Sequence, residues 1–170
     1  MAAFLGGGGK GRITTMYQMF PLLAISLIVY AVLTLTGAVG GDAATCGAVI
    51  DGAVASPCWY QLTFVELPMV SGDEWRVSWG DIFLLASMGL LFVELLRATK
   101  TGSESIMNHA LSVVVFVIAL LLFIIVEGFG NSVFFLFMSM TFLDFMAGFI
   151  VTTVTARRDL SVGEGALGGR

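Results

Sequence analysis

Two carboxyl groups lie inside long apolar stretches of this sequence, and they are the first candidates for chemistry. Asp144 lies at the middle of the apolar run 132–155, and Glu94 lies near the end of the run 80–98. An ionisable residue near the centre of a membrane helix costs at least about 2.5 kcal/mol to insert, so it needs a partner, a wet cavity or a proton. Asp144 is therefore either a proton or cation site, or a neutral group that hydrogen-bonds where helices pack.

Asp144 belongs to a stripe of small and polar residues. Thr141, Asp144, Gly148, Thr152 and Thr155 follow one another at spacings of three and four, so they share one helical face. In a membrane, such a stripe is typical of a helix–helix interface, because close backbone approach replaces the hydrophobic drive. We expect a protonated Asp144 that hydrogen-bonds across this interface, and the alternative is a proton or cation site.

Glu94 lies three residues before Arg97 and shares a helical face with Ser87. An ion pair at the membrane surface, or a side chain that extends to water, is favoured over catalysis. Counted from the basic ends of the two helices, Asp144 is deeper than Glu94 by about 9 Å at 1.5 Å per residue. A direct pair of carboxyl groups is therefore not expected, and the alternative is a water-linked pair near His109.

Cys46 and Cys58 are the two cysteines of the chain, and both lie in the segment 37–78. A disulfide that closes so short a loop stabilises a fold by roughly 3 kcal/mol. Two free thiols and a redox-active pair are the alternatives, although redox pairs usually have C-x-x-C spacing at a helix start. No metal site is expected, because the sole histidine, His109, is predicted on the opposite side of the membrane.

The composition excludes several classes of protein. Hydrophobic residues make up 58% of the 170 residues and charged residues only 12%. A soluble domain carries roughly 25% charged residues, so a soluble globular protein is excluded. No basic tract with interleaved aromatic residues indicates nucleic-acid binding. No phosphate loop or nucleophile constellation is present, so we expect no catalytic residues and no cofactor.

The elements that must position these residues are membrane helices, each built on a run of about 20 apolar residues. We expect an all-α membrane protein, a bundle of four transmembrane helices with a small extracytoplasmic β-hairpin. The predicted segments are a flexible N-terminus 1–18, helices 19–36, 80–98, 108–126 and 132–155, an outer loop 37–78, a link 99–107, an outer turn 127–131 and a tail 156–170. The first apolar run could also be a signal peptide, but it is longer than the about 7–15 residues usual for that role.

Local signals mark the ends of several elements. Residues 60–67 and 75–78 are rich in aromatic and β-branched residues and predict an antiparallel hairpin. Ser78 and Asp81 have the spacing of a capping box at a helix start. Gly128 is placed to end one helix, and Asn131 or Ser132 to start the next.

Charge predicts the orientation of the helices. Basic residues flank the predicted helices on one side only, and the positive-inside rule makes that side cytoplasmic. They are Lys10, Arg12, Arg97, Lys100, Arg157 and Arg158. We therefore expect a multi-pass protein of the inner (plasma) membrane with both termini cytoplasmic, and a disordered glycine-rich tail over 161–170.

Part of the sequence resembles small four-helix proteins of the bacterial inner membrane. The resemblance covers roughly half of the chain and implies that membrane, but no mechanism. Two other four-helix families also share features with the chain. The claudin-like proteins have cytoplasmic termini and a first outer loop with strands and a cysteine pair, and the disulfide-forming quinone reductases have a similar length, four helices and the same orientation. The claudin-like proteins carry a tryptophan-rich motif before their first cysteine, and the disulfide-forming quinone reductases carry a C-x-x-C motif, both of which this chain lacks. The resembling motifs are Ser78-Trp79-Gly80-Asp81, Glu94-Leu95-Leu96-Arg97, Asp144 and Arg157-Arg158.

The sequence therefore favours a non-catalytic accessory or assembly subunit, packed in the lipid bilayer against a protein partner or against copies of itself. The alternative is a small oligomeric channel or transporter, coupled to protons or cations through Asp144.

Overall fold

Four α-helices and two small antiparallel sheets account for most of the chain that the structure describes. A computed structural model describes residues 20–40, 46, 49–50, 53–54, 56–98 and 103–167, with side chains left out at 49–50, 53–54, 98, 103–107, 109, 151–152 and 155–167. The elements are α1 (Leu22–Thr36), β1 (Val49–Ile50), β2 (Ala53–Val54), a 3-10 helix (Trp59–Gln61), β3 (Thr63–Pro68), β4 (Glu74–Ser78), α2 (Trp79–Ala98), α3 (Ser103–Ile125) and α4 (Ser132–Leu167).

Two of the helices are long and apolar enough to cross a membrane. They are α2, over Trp79–Arg97, and α4, over Ser132–Ile150. The apolar helices Leu22–Thr36 and Ala110–Ile125 are shorter. The prediction of four helices is confirmed, but α1 and the apolar part of α3 have fewer than the about 20 residues that a bilayer core requires.

Helix α2 begins at the predicted capping box. The amide of Asp81 donates to Ser78 Oγ at 3.2 Å, and the amide of Ser78 donates to Asp81 Oδ2 at 2.8 Å. Each side chain thus satisfies one amide that a helix start leaves without a partner. Strand β4 can therefore pass into α2 without an intervening loop.

The turn between α3 and α4 is also built as predicted. Gly128 has a φ of 84°, a left-handed conformation that glycine adopts without steric cost. Asn131 caps α4, because its Oδ1 accepts from the amide of Phe134 at 3.0 Å. The Asn131 side-chain amide also donates to the hydroxyl of Tyr30 at 2.8 Å, which ties this turn to α1.

Three predicted boundaries were wrong. Helix α1 begins at Leu22, because Pro21 is extended and acts as the N-cap instead of lying in the first turn. Helix α3 begins at Ser103, so the link predicted over 99–107 is shorter. Helix α4 continues to Leu167 and so includes the described part, 161–167, of the tail that was predicted to be disordered. The prediction ended α4 where the apolar run ends, but alanine, arginine and leucine beyond that point are good helix formers.

The predicted hairpin is confirmed as β3 paired antiparallel with β4, with Glu66 opposite Arg76 and Leu67 opposite Trp75. Arg76 Nε lies 3.2 Å from Glu66 Oε1. A second hairpin, β1 with β2, was not predicted. Its two strands are separated in the sequence by Asp-Gly, a strong signal for a two-residue hairpin turn.

Aromatic side chains fill the interior near the outer turn. Tyr30 is fully buried, and its ring contacts those of Trp59, Phe83, Phe129 and Phe134 at centroid distances of 4.7–5.5 Å. Such contacts contribute about 0.5–1.5 kcal/mol per pair beyond the burial of area. This cluster joins α1, α2 and α4 at one end of the bundle.

All four helices expose large apolar side chains on their outward faces, over the residues whose side chains are described. Helix α4 packs against α2 and α3, and α1 packs against the same two helices, so each helix has one face turned inward. Large apolar side chains remain exposed on the other faces. Examples are Ile28 and Val32 on α1, Phe92 and Leu96 on α2, Ile118 and Leu121 on α3, and Phe142 and Phe149 on α4.

Candidate functional site

Glu94 points into the bundle, with 1% of its surface exposed. The expectation that its side chain extends to water was therefore wrong. Glu94 Oε2 accepts from the amide of Leu23 at 3.3 Å, and Oε1 accepts from the side-chain amide of Asn108 at 3.4 Å. One carboxylate thus connects α2 with the start of α1 and the start of α3.

The contact with α1 has a clear physical reason. The first amides of a helix have no partner within the helix, and Pro21 at the N-cap provides no side-chain hydrogen bond. The Glu94 carboxylate supplies that acceptor from a neighbouring helix. The positive end of the α1 dipole also stabilises a negative charge at this position, by about 0.3–2 kcal/mol depending on burial.

Asp144 is also buried, with 2% of its surface exposed, and it interacts electrostatically with Glu94. The structure therefore brings together two carboxyl groups that the sequence analysis placed about 9 Å apart in depth. That estimate used the basic ends of the helices, but α4 continues well past its arginines. Measured from the outer helix starts, Glu94 is 15 residues from Trp79 and Asp144 is 12 from Ser132, a difference of about 4.5 Å at 1.5 Å per residue.

The other predicted members of the Asp144 stripe contribute less. Thr141 is buried, but its hydroxyl donates to the carbonyl of Met138 in its own helix at 2.7 Å. Gly148 is buried one turn after Asp144 and permits close packing. The side chains of Thr152 and His109 lie outside the part of the chain that is described.

Three further polar residues are buried in the helices that surround the carboxyl pair, and the sequence analysis did not assign them to a site. Ser87, Asn108 and Ser112 expose at most 5% of their surface. The Ser112 hydroxyl donates to the carbonyl of Asn108 at 3.2 Å. Asn108 and Ser112 are four residues apart in a mostly aliphatic helix, and that spacing was the signal that could have identified them.

The predicted disulfide between Cys46 and Cys58 is present, with 4.7 Å between the two Cα atoms. It precedes the 3-10 helix, in which Trp59 is buried and donates from Nε1 to the hydroxyl of Thr34 at 3.0 Å. The disulfide and this bond hold the outer segment against the end of α1. The cross-link is thus placed to anchor a buried tryptophan.

A cleft of about 420 Å³ lies between the disulfide and the outer turn. Burial raises the pKa of Tyr60 in this cleft, so its hydroxyl keeps its proton at neutral pH. The lining residues are Cys46, Cys58, Tyr60, Gln61, Phe123, Ile124, Ile125, Val126, Glu127, Gly128, Gly130 and Asn131. The cleft is separate from the carboxyl pair, because its lining includes neither Glu94 nor Asp144.

Comparison of the chain with models of protein families, with curated proteins and with solved structures finds no match. Within the described ranges, no group of three or more His, Cys, Asp or Glu residues is placed to hold a metal ion. The strongest candidate site is therefore the buried carboxyl pair of Glu94 and Asp144 with its polar neighbours, which we call the carboxyl-pair site.

Proposed function

We propose that this chain is an integral membrane protein whose four helices all span the bilayer, and that it acts as a non-catalytic accessory or assembly subunit of a larger membrane complex. The observation that carries the proposal is the distribution of side chains. Large apolar residues are exposed on all four helices, whereas Glu94, Asp144 and their polar neighbours are buried. Water would disfavour that arrangement, and lipid favours it.

The two shorter helices are compatible with this proposal. Helix α1 has 15 residues and spans about 22 Å, against a hydrocarbon core of about 30 Å. Exposed Phe20 before it and Val39 after it extend the apolar surface. Local thinning of the bilayer accommodates a short span at a cost of fractions of a kcal/mol per Å. The 23 residues of α3 span about 35 Å.

An accessory role is supported by the way the interior uses its polar groups. Internal hydrogen bonds involve Tyr30, Thr34, Glu94 and Thr141, and they join or stiffen the helices. The outside of the bundle exposes many large apolar side chains, and such a surface is suited to contact with lipid or with another membrane protein. The basic residues that flank the helices support an orientation with cytoplasmic termini in a bacterial inner membrane.

Reporter insertions test the orientation, the span at α2 and the paired spans at α3 and α4. Gly72, at the tip of the β3–β4 hairpin, has space around it for an insertion. We expect a periplasmic reporter to be active at Gly72 and a cytoplasmic reporter to be active after residue 102 and at the C-terminus. If the reporters at Gly72 and at 102 lie on the same side of the membrane, α2 does not span it. If the reporters at 102 and at the C-terminus lie on opposite sides, α3 and α4 cannot both span it.

Photocrosslinking from the helix surfaces tests the accessory role. A photoreactive phenylalanine analogue replaces Phe92, Phe142 or Phe149, which are exposed, and the buried Phe83 serves as the matched control. We expect one exposed face to cross-link a single partner protein in native membranes, and Phe83 to give no intermolecular product. Cross-links only to lipid from every exposed position would overturn the accessory role.

The second candidate function is a small oligomeric channel or transporter coupled to protons or cations. The electrostatic contact between buried Glu94 and Asp144 favours it. The test is Asp144→Asn in reconstituted liposomes. Lost ion flux with an intact oligomer would support transport, and unchanged flux would contradict a proton-carrying role for Asp144.

A further inference from the structure

The cleft between the disulfide and the outer turn has an apolar part and a polar part. The apolar part is the last turn of α3, where Ile124 and Ile125 expose 68% and 72% of their surfaces. The polar part includes Glu127 in the outer turn and Tyr60 and Gln61 in the 3-10 helix. At about 420 Å³, the cleft has the size of sites that bind small molecules, which is about 300–1,000 Å³. A ligand that fits both parts is an amphiphile.

Glu127 determines which charge such a ligand carries. Its side chain is exposed to solvent, where a carboxyl group is ionised at neutral pH. Among the described residues, the ion pairs are those of Arg76 with Glu66 and Glu74, so no Lys or Arg neutralises Glu127. The described lining of the cleft contains no Lys, Arg or His either. The polar part of the ligand therefore includes a cation.

Two neutral hydrogen-bond donors lie in the same polar part. Gln61 Oε1 accepts from the amide of Cys58 at 3.1 Å, which holds this side chain and leaves its NH₂ group to donate. Tyr60 keeps its proton, and within the described part of the chain its hydroxyl has no hydrogen-bond partner. Neutral donors of this kind bind the oxygens of a phosphate group without adding charge to the site.

The position of the cleft along the bundle suits the headgroup of a lipid. Its apolar part is the end of α3, and its polar part begins in the turn that follows. In the proposed membrane arrangement, on which this site depends, the end of α3 marks the edge of the hydrocarbon core. The headgroup layer beyond that edge is roughly 5–7 Å thick. Glu127 then lies at the level of the headgroups, and Ile124 and Ile125 lie beside the acyl chains.

We propose that this cleft binds an aminophospholipid of the phosphatidylethanolamine type. Glu127 accepts hydrogen bonds from the primary ammonium group, Tyr60 and Gln61 donate to the phosphate, and the exposed isoleucines contact the start of the acyl chains. A primary ammonium has three donors, whereas the quaternary ammonium of phosphatidylcholine has none. Phosphatidylglycerol has a net negative charge, which Glu127 repels. The site thus selects one headgroup among these three.

The experiment measures phospholipid binding to the full chain in a nonionic detergent by native mass spectrometry. Phosphatidylethanolamine, phosphatidylcholine and phosphatidylglycerol with the same acyl chains are titrated separately. We expect the wild type to bind phosphatidylethanolamine at least about 10-fold more tightly than the other two, because a hydrogen bond to a charged group contributes at least that factor. Equal affinities for the three lipids would show nonspecific binding only and would overturn the site.

Two variants separate the two ends of the headgroup. Glu127→Gln should weaken phosphatidylethanolamine binding by about 10-fold and remove the preference for it. Tyr60→Phe should weaken the binding of all three lipids by about 5-fold, because each of them has a phosphate. Asp73→Asn is the matched control, since it removes an exposed carboxylate in the turn of the β3–β4 hairpin, outside the lining of the cleft, and should change none of the affinities. A Glu127→Gln chain that keeps the preference would overturn the proposal.

Photocrosslinking distinguishes a lipid from a partner protein in the cleft. A photoreactive phenylalanine analogue at Phe123, which lines the cleft, should cross-link phospholipid in native membranes. A protein adduct at this position that is lost in Glu127→Gln would show that a partner fills the cleft, and it would overturn the lipid site. The binding measurement in detergent requires neither four spans nor an orientation, so failure of the lipid site and failure of the proposed membrane arrangement are recognised separately.

Discussion

The hydrogen bond from Asn131 to Tyr30 gives the sharpest test of how the bundle is held together. Asn131 donates to the buried Tyr30 hydroxyl at 2.8 Å and to the carbonyl of Gly128 at 2.9 Å, and its Oδ1 caps α4. One side chain thus serves a helix cap, a turn and a link to a helix 101 residues away in the sequence. Substitutions at this position can separate the three roles.

The expected losses follow from those roles. Asn131→Ala removes the cap, the bond to Tyr30 and the bond to the Gly128 carbonyl, each worth about 1 kcal/mol, for a total of about 3 kcal/mol. Thr34 lies within reach of the Tyr30 hydroxyl and keeps it from being stranded. Asn131→Ser retains an oxygen for the cap but loses the bonds to Tyr30 and to Gly128, so its loss should be about 2 kcal/mol.

Tyr30→Phe removes the hydroxyl that accepts the hydrogen bond from Asn131, and so it tests the same bond from the acceptor's side. It should cost about 1 kcal/mol, because it removes only the bond to Asn131, which keeps its bond to Gly128 and its cap of α4. The free energies are measured by reversible unfolding in mixed detergent and sodium dodecyl sulfate micelles, followed by circular dichroism. In the Tyr30→Phe background, Asn131→Ser should cost only about 1 kcal/mol, for the lost bond to Gly128, which gives a coupling energy of about 1 kcal/mol. Fully additive losses would refute a stabilising bond between the two residues.

Three further predictions concern other parts of the molecule. Glu94→Ala leaves the first amides of α1 without their acceptor and should lower the free energy of unfolding by about 2–4 kcal/mol in the same assay. Glu94→Gln keeps a carbonyl oxygen and should lower it less. Equal losses for the two variants would contradict the capping role. Cys46→Ser should lower the free energy of unfolding by about 3 kcal/mol, and a reductant should have the same effect on the wild type. If the reductant leaves the unfolding midpoint of the wild type unchanged, the cross-link adds no stability. A Cβ at Gly80 would lie 2.8 Å from the carbonyl oxygen of Tyr60, so Gly80→Ala should destabilise α2 by at least about 1 kcal/mol. Gly89→Ala in the same helix meets no atom within 4 Å and should stabilise by up to about 1 kcal/mol, and similar melting shifts for both variants would contradict the reasoning.

Features that depend on neighbouring residues could be predicted from the sequence. The capping box of Ser78 with Asp81, the left-handed Gly128 and the Asn131 cap each involve residues within a few positions of one another. The disulfide also followed from a short loop and the absence of other cysteines. Such local signals are set by backbone sterics and by single hydrogen bonds, which do not depend on how the helices are arranged.

The carboxyl pair could not be predicted, because it depends on the relative depth of two helices. The basic residues after α2 and within α4 were taken to lie at one level, but α4 extends to Leu167, so the comparison of depths was wrong. The role of Glu94 as an acceptor for α1 was hidden for a similar reason, since Pro21 gives no sign of which residue will complete the helix start. Contacts between distant segments require the packed arrangement itself.

The contact between Glu94 and α1 also has a consequence for biogenesis. The amide of Leu23 and its acceptor on Glu94 are 71 residues apart. At about 5–20 residues per second, the ribosome adds Glu94 roughly 4–14 seconds after Leu23. In the proposed membrane arrangement, the nascent α1 is exposed throughout that interval to lipid or to the insertion machinery with its first amides uncapped, and it is completed only when the end of α2 arrives. Helix α1 is thus synthesised before α2, but it is not finished before α2.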